Sequence, residues 1–199
     1  MFIADPNSST HQQAIQAARQ AILQKPVYLD TETTGLDRTD EIVEISIIDE
    51  DGKVLLESFV KPTQPIPADV IRVHGITNEM VQQAPSWPVL WMRVRSVLFG
   101  RLLAIYNADF DLRMMQQTHA RHRIPWKENF KSIDIMKLYS DYRGEWDSVR
   151  RSMRYHSLDS AGRHFKISIP NSHRATDDTL LARAVLHSIA DTKITGEPG

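Results

Sequence analysis

The segment Glu41–Lys61 constrains the fold more than any other. Glu41–Glu50 sets Ile42, Ile45 and Ile47, with Val43 beside them, among polar neighbours, and Asp51-Gly52 separates it from a second run, Lys53–Lys61. Alternation with a period of two suits a strand with one buried face. An Asp-Gly pair between two such runs marks a hairpin, because glycine takes positive φ without steric cost. The preceding segment Val27–Thr31, which opens on the apolar stretch Val27-Tyr28-Leu29, reads as a buried strand. Three strands in an antiparallel meander are therefore expected at the start of the domain.

The rest of the chain changes rhythm. Leu102–Tyr106 and Phe130–Ile133 read as short strands, and helical spacing follows each, over Phe110–His122 and Asp134–Tyr142. Further helices are expected at Ala68–Val73, Thr77–Gln82, Ser86–Phe99, Ser157–Phe165 and Arg174–Ala190. The stretch Gly144–Arg154 reads as an exposed loop. Antiparallel strands followed by strand–helix alternation give an α/β fold, a mixed sheet flanked by helices. Ahead of it, residues 1–26 carry a helix with N-cap candidates Ser8-Ser9-Thr10, stopped by Pro26. Residues 27–190 form one domain, and 191–199 read as a flexible tail with no core to join.

Acidic residues stand at three element edges. Asp30 and Glu32, at i and i+2, share one face of the first strand, and two like charges held together call for a cation between them. Asn107-Ala108-Asp109-Phe110-Asp111 lies where a buried strand turns into a helix. Asp111 shares a stripe with Met114 and Met115 and should point inward, whereas Asp109 suits an N-cap. In His173-Arg174-Ala175-Thr176-Asp177-Asp178, Asp178 heads the apolar stripe Leu181, Ala182, Val185 and Ile189. Asp177 reads as a first-turn acid favoured by the helix dipole. His173 is about 140° from Asp178 around an ideal helix, so it should sit on the loop or first turn, where its near-neutral pKa suits a general base.

These segments resemble the three motifs of the DEDDh exonuclease superfamily, which includes the epsilon subunit of bacterial DNA polymerase III, RNase T and oligoribonuclease. The first motif matches Asp30 and Glu32, the second Asp111, and the third His173 and Asp178. Val73-His74-Gly75-Ile76-Thr77 resembles the family's element after its third strand, and Ser157-Leu158-Asp159 the helix before its last motif. One departure is Tyr106, where the family often has histidine; altered packing rather than lost catalysis is expected there.

The resemblance implies a ribonuclease H-like sheet and a 3′–5′ exonuclease that releases nucleoside 5′-monophosphates from DNA or RNA. It implies catalysis by His173, Asp30, Glu32, Asp111 and Asp178, the four carboxylates holding two divalent cations, Mg²⁺ or Mn²⁺. Thr33 and Thr34 are expected at the terminal nucleotide, with Leu36, His74, Ile76, Asn107 and Phe110 packed around it. The partner is a nucleic-acid 3′ end, single-stranded DNA or RNA. A catalytically silent nucleic-acid-binding or scaffolding module on the same fold is the alternative; the intact acidic set disfavours it.

Composition narrows the setting. Without cysteine there is no disulfide, thiolate metal site or thiol nucleophile, and a formal net charge of -1 argues against broad wrapping of a long duplex. No membrane-length apolar run occurs, so a cytoplasmic protein is expected. Asp40, Glu41 and Glu44 read as solvent-facing sheet charges, and Asp134 and Asp159 as helix caps. His11, His119, His122 and His187 read as exposed helix positions, and Trp87 with Trp91 as core. Of the cationic residues, Arg150, Arg151 and Arg154 are the ones expected to meet the substrate.

Overall fold

The computed structural model describes residues 9–194. The first helix, α1 (Ser9–Leu23), ends before Pro26, whose ring cannot continue it. The N-cap candidate Ser8 and the tail 195–199 lie outside the described residues.

Strands β1 (Val27–Thr33), β2 (Ile42–Ile48) and β3 (Val54–Phe59) form the antiparallel meander. Gly52 turns it at φ 82°, while Asp49 Oδ1 accepts the amide hydrogens of Asp51 and Lys53. The pairing slips once: Glu32 faces Glu44 and Thr33 faces Ile42, leaving Val43 as the extra residue of a bulge. The bulge explains why Ile42 joins Ile45 and Ile47 in one core although strict alternation would part them. Val43 packs separately, with Ile66, Ile76 and Val81.

Helices α2 (Ala68–His74), α3 (Asn78–Val81) and α4 (Trp87–Leu98) lead to β4 (Leu102–Ile105), which pairs parallel with β1. Helix α5 (Ala108–Arg121) then precedes β5 (Lys131–Asp134), parallel to β4. The sheet order is β3-β2-β1-β4-β5. After β5 come α6 (Ile135–Arg143), a small hairpin of β6 (Trp146–Asp147) and β7 (Ser152–Met153), α7 (Leu158–His164) and α8 (Ala175–Ala190).

Two apolar cores lie on opposite faces of the sheet. Tyr28 and Ile48 face α1, α6, α7 and α8, whereas Val27, Leu29, Ile45 and Ile47 face α4 and α5. Alternation along β1 therefore sends Asp30 and Glu32 to the α8 side, with Tyr28, and Thr31 to the α5 side.

Several local expectations are corrected. Gly144–Arg154 is a hairpin rather than a loop, closed by Trp146 opposite Met153 and by Arg154 N–H donating to Glu145 O. The start of the tail has partners: Arg19 donates to Thr192 O and Ile194 packs against the α8-side core. Asp159 is not a cap; Ser157 caps α7, and Asp159 pairs with Arg163 one turn on. Asp134 does cap α6, accepting from Lys137 N–H. His11 and His119 are buried and His122 and His187 half-buried, each with a partner: His11 donates to Tyr142 O, His119 meets Trp87, and His122 and His187 lie beside Glu41 and Glu50. Among the described residues no helix is long and apolar enough to cross a membrane.

Candidate active site

Four carboxylates converge at the carboxyl end of β1. Asp30 and Glu32 come from the strand itself, and Asp178 from the first turn of α8, whose core stripe Leu181, Ala182, Val185 and Ile189 is buried below it. Asp111 enters from α5 on the other side of the sheet, fully buried, and its Oδ1 accepts the Thr31 hydroxyl at 2.7 Å. The strand thus addresses both helices with neighbouring residues pointing opposite ways.

Burial raises every one of these carboxyl groups, and repulsion from the other site carboxylates adds to it at Asp30 and Glu32. Asp30 lies well above its ordinary range, through burial first and then the charges of Asp111, Glu32, Asp178 and Glu44. Burial also lifts Glu32 to about 8, helped by Asp178 and Glu44. Asp111 rises to about 7 by burial, against the Thr31 hydrogen bond that favours its charged form. Asp178 reaches about 6, raised by burial and held back by His173. A site that disfavours its own charges to this extent is shaped for a positive counter-charge.

His173 stands on the loop before α8, exposed and at φ 52°, off the helical stripe as its spacing requires. Glu32, His173 and Asp178 each offer a ligand-capable atom, all within 4.8 Å of one another. The His173 imidazole thus lies beside two of the carboxylates. With its amide nitrogen turned toward Asp178, Asn171 donates to both carboxylate oxygens at 3.1 and 3.2 Å. Oxygen-rich donors of this kind suit a hard divalent cation, and Glu32, His173 and Asp178 lie close enough together to share one.

The loop after β1 is built around Asp40. Its carboxylate accepts from Thr34 Oγ1 and Asp37 N–H, and Thr34 Oγ1 in turn accepts Glu41 N–H. Thr33 Oγ1 donates to Gly35 O. Both threonine hydroxyls are therefore engaged within the loop. A cavity of about 670 Å³ opens beside it, lined by Thr33, Thr34, Leu36, Val70, Val73, His74 and Phe110 among others. Leu36 presents an exposed apolar side chain at its edge (76% exposed).

His74 is buried, and its tautomer follows from its bonds: Nδ1 accepts Ile76 N–H, leaving Nε2 to donate to Thr33 O at 3.2 Å. It fixes the backbone of the first motif, and burial lowers its pKa. Ile76 lies wholly in the core with Val43 and does not line the cavity. Asn107 sits at φ 69°, a left-handed position that asparagine tolerates, and is the residue before α5. It, not Asp109, is the N-cap; Asp109 is exposed and bonded to Lys137. The Tyr106 hydroxyl donates to His156 O, so the tyrosine is absorbed by packing and a backbone contact.

Two charges expected at the surface are buried. Glu41 (1% exposed) accepts from the backbone and hydroxyl of Thr63, with Arg121 near. Glu44 (2% exposed) accepts from Arg174 Nη2 at 2.6 Å and from Ala175 N–H at 3.0 Å, and so fastens the start of α8 to β2. The clamp begins at Arg174, the residue directly after His173. Asp40 is half-buried and tied to its loop. A sequence clue to Glu44 existed: it is a lone charge in a strand otherwise almost wholly apolar.

Comparison with known proteins follows the same lines. Residues 27–186 match the RNase_T family, described as exonuclease. An uncharacterized exonuclease, CP81, of Escherichia phage 186 is 36% identical over 92% of this chain and 97% of its own. A DNA polymerase III subunit epsilon-like protein of Rhodobacter capsulatus is 33% identical over 85% of this chain, which spans only 24% of that relative. Among solved structures, Exonuclease X in complex with 5′ overhanging duplex DNA is 26% identical, with a TM-score of 0.62 over 82% of this chain and 89% of that one. The nuclease domain of 3′hExo, a DEDDh family member bound to rAMP, shares the fold at a TM-score of 0.68 and 15% identity, over 84% of this chain and 92% of that one.

Proposed function

We propose, because the chain belongs to the RNase T exonuclease family in its DEDDh branch, that it hydrolyses phosphodiester bonds from the 3′ end of DNA or RNA and releases nucleoside 5′-monophosphates. The observation that carries this reading is the convergence of Asp30, Glu32, Asp111 and Asp178 with His173 beside them. Two divalent cations, Mg²⁺ or Mn²⁺, bound by those carboxylates would stabilise the attacking hydroxide and the leaving 3′ oxygen.

The chain's own residues supply the rest. His173 takes the proton from the attacking water, which its exposed loop position favours. Glu44 and Arg174 hold that loop against β2, and His74 holds the carbonyl of Thr33. The cavity beside Leu36 and Phe110 has the size of a small-ligand pocket and receives the terminal nucleoside. Because both threonine hydroxyls are spent on the loop, Thr33 and Thr34 contribute through backbone and shape.

The test uses one oligonucleotide labelled at either end, incubated with Mg²⁺ or with EDTA. The 5′-labelled strand is expected to shorten as a ladder, and the 3′-labelled strand to release labelled mononucleotide at once, in Mg²⁺ only. Activity that survives EDTA, release from the 5′ end, or undiminished turnover by Asp178→Asn overturns the reading.

A further inference from the structure

The β6–β7 hairpin carries a combination that the catalytic cleft does not use. Trp146 and Tyr155 are strongly exposed (62% and 48%), and Val149 more so. Arg150, Arg151 and Arg154 accompany them within ten residues, against Asp147 alone from Trp146 to Tyr155. A cavity of about 470 Å³ lies among Trp146, Asp147, Ser148, Arg150, Arg154 and Tyr155. Exposed indole and phenol rings are unfavourable in water unless a partner covers them.

The platform is fixed rather than loose. Asp147 Oδ1 accepts the amide hydrogens of Val149 and Arg150 at 2.9 and 3.0 Å, and Arg154 N–H closes the base onto Glu145 O. His156, two residues beyond Arg154, accepts the hydroxyl of Tyr106 at 2.9 Å. Tyr106 directly follows β4 and precedes Asn107 and the helix bearing Asp111, so the hairpin is tied to the same end of the sheet.

We propose that this hairpin is a second holding site for the substrate strand, taking single-stranded nucleic acid upstream of the 3′ end. The proposal rests on the exonuclease reading and extends it. Trp146 and Tyr155 stack on bases, while Arg150, Arg151 and Arg154 meet phosphates. This pairing of ring faces with cations grips a strand without regard to sequence. Charge complementarity favours this occupant. On a chain with a net charge of -1, a local cluster of three arginines is a place where a polyanion gains what the whole surface does not offer.

The full chain is tested with Trp146→Ala/Tyr155→Ala and with Arg150→Glu/Arg154→Glu. The substrates are a single-stranded oligomer of about 12 nucleotides, within the span such sites cover, and the p-nitrophenyl ester of thymidine 5′-monophosphate, which occupies the cleft alone. Both variants are expected to raise KM for the oligomer about tenfold while leaving kcat and turnover of the ester unchanged. The arginine variant should also flatten the salt dependence of KM. Trp146→Phe/Tyr155→Phe, which keeps both rings, should restore the parent KM. Binding of a fluorescent oligomer in EDTA, read by anisotropy, needs no catalysis. If the parent binds and the variants bind about tenfold more weakly, the platform stands even where the exonuclease reading fails. Equal binding by parent and variants, or an equal KM change for oligomer and ester, overturns it.

Discussion

Replacing Asp111 by asparagine should make the metal-free protein more stable while removing its activity. Asp111 is buried, and its carboxyl is raised from the ordinary 3.8 to about 7. The folded state therefore holds this proton more tightly than the unfolded chain does. Its contribution is most favourable in acid and is lost as pH climbs from about 4 through about 7. A shift of about three units corresponds to about 4 kcal/mol at pH 8, at about 1.4 kcal/mol per unit. Asparagine keeps the shape and still accepts the Thr31 hydroxyl, but never ionises. In EDTA at pH 8, thermal unfolding followed by circular dichroism should rise by roughly 10 °C, at about 2–4 °C per kcal/mol for a chain of this size. At pH 4 parent and variant should unfold together. Added Mg²⁺ should stabilise the parent and close the gap, since a ligand bound only by the folded state adds to its stability. An Asp111→Asn protein no more stable than the parent at pH 8, or equally stabilised at pH 4, would refute the claim that burial disfavours the Asp111 charge in the metal-free site.

Other consequences can be measured alongside. His173→Ala should lower kcat by about 10²- to 10⁴-fold and erase the limb of the pH–rate profile that reports the base, with KM little changed. Glu44→Ala frees Arg174 and Ala175 N–H, letting the His173 loop drift; kcat should fall about 10²-fold, and Glu44→Gln, which can still accept from Ala175, should recover part of it. His119→Ala removes a ring packed edge-on against Trp87, Trp91 and Trp126 and opens a cavity, so unfolding should be easier by about 3 kcal/mol with kcat intact. Burial lowers the pKa of His119, so the unfolded chain takes up its proton first on acidification. The stability this residue supplies should fade as pH drops through about 6.5, and a flat pH dependence in the difference between parent and variant would contradict that.

The strands were legible because each carries its own signal. The Asp51-Gly52 turn and the period-two runs beside it specify a hairpin locally, and the stripe below Asp178 specifies which way α8 faces. Some side-chain directions were legible for the same reason: Asp30 and Glu32 share a face by strand geometry alone, and Asp111 is buried with its neighbours Met114 and Met115. Where local signal was weak, the reading failed. Two-residue strands such as β6 and β7 leave no period to detect, and a cap is decided by one torsion, as at Asn107 rather than Asp109.

Burial of polar groups is the part that local pattern cannot contain. Glu44 looks like a surface charge until α8, 130 residues away, brings Arg174 and the Ala175 amide to it. His119 looks like an exposed helix position until Trp87 arrives to share its ring nitrogen. The sequence by itself determined the order of the longer strands and helices, their inward faces and the shared face of Asp30 and Glu32, because these depend on residue spacing. The tertiary structure alone decided which charges lose water, how far their proton affinities rise and what holds His173 beside them. Desolvation and pairing are set by neighbours in space.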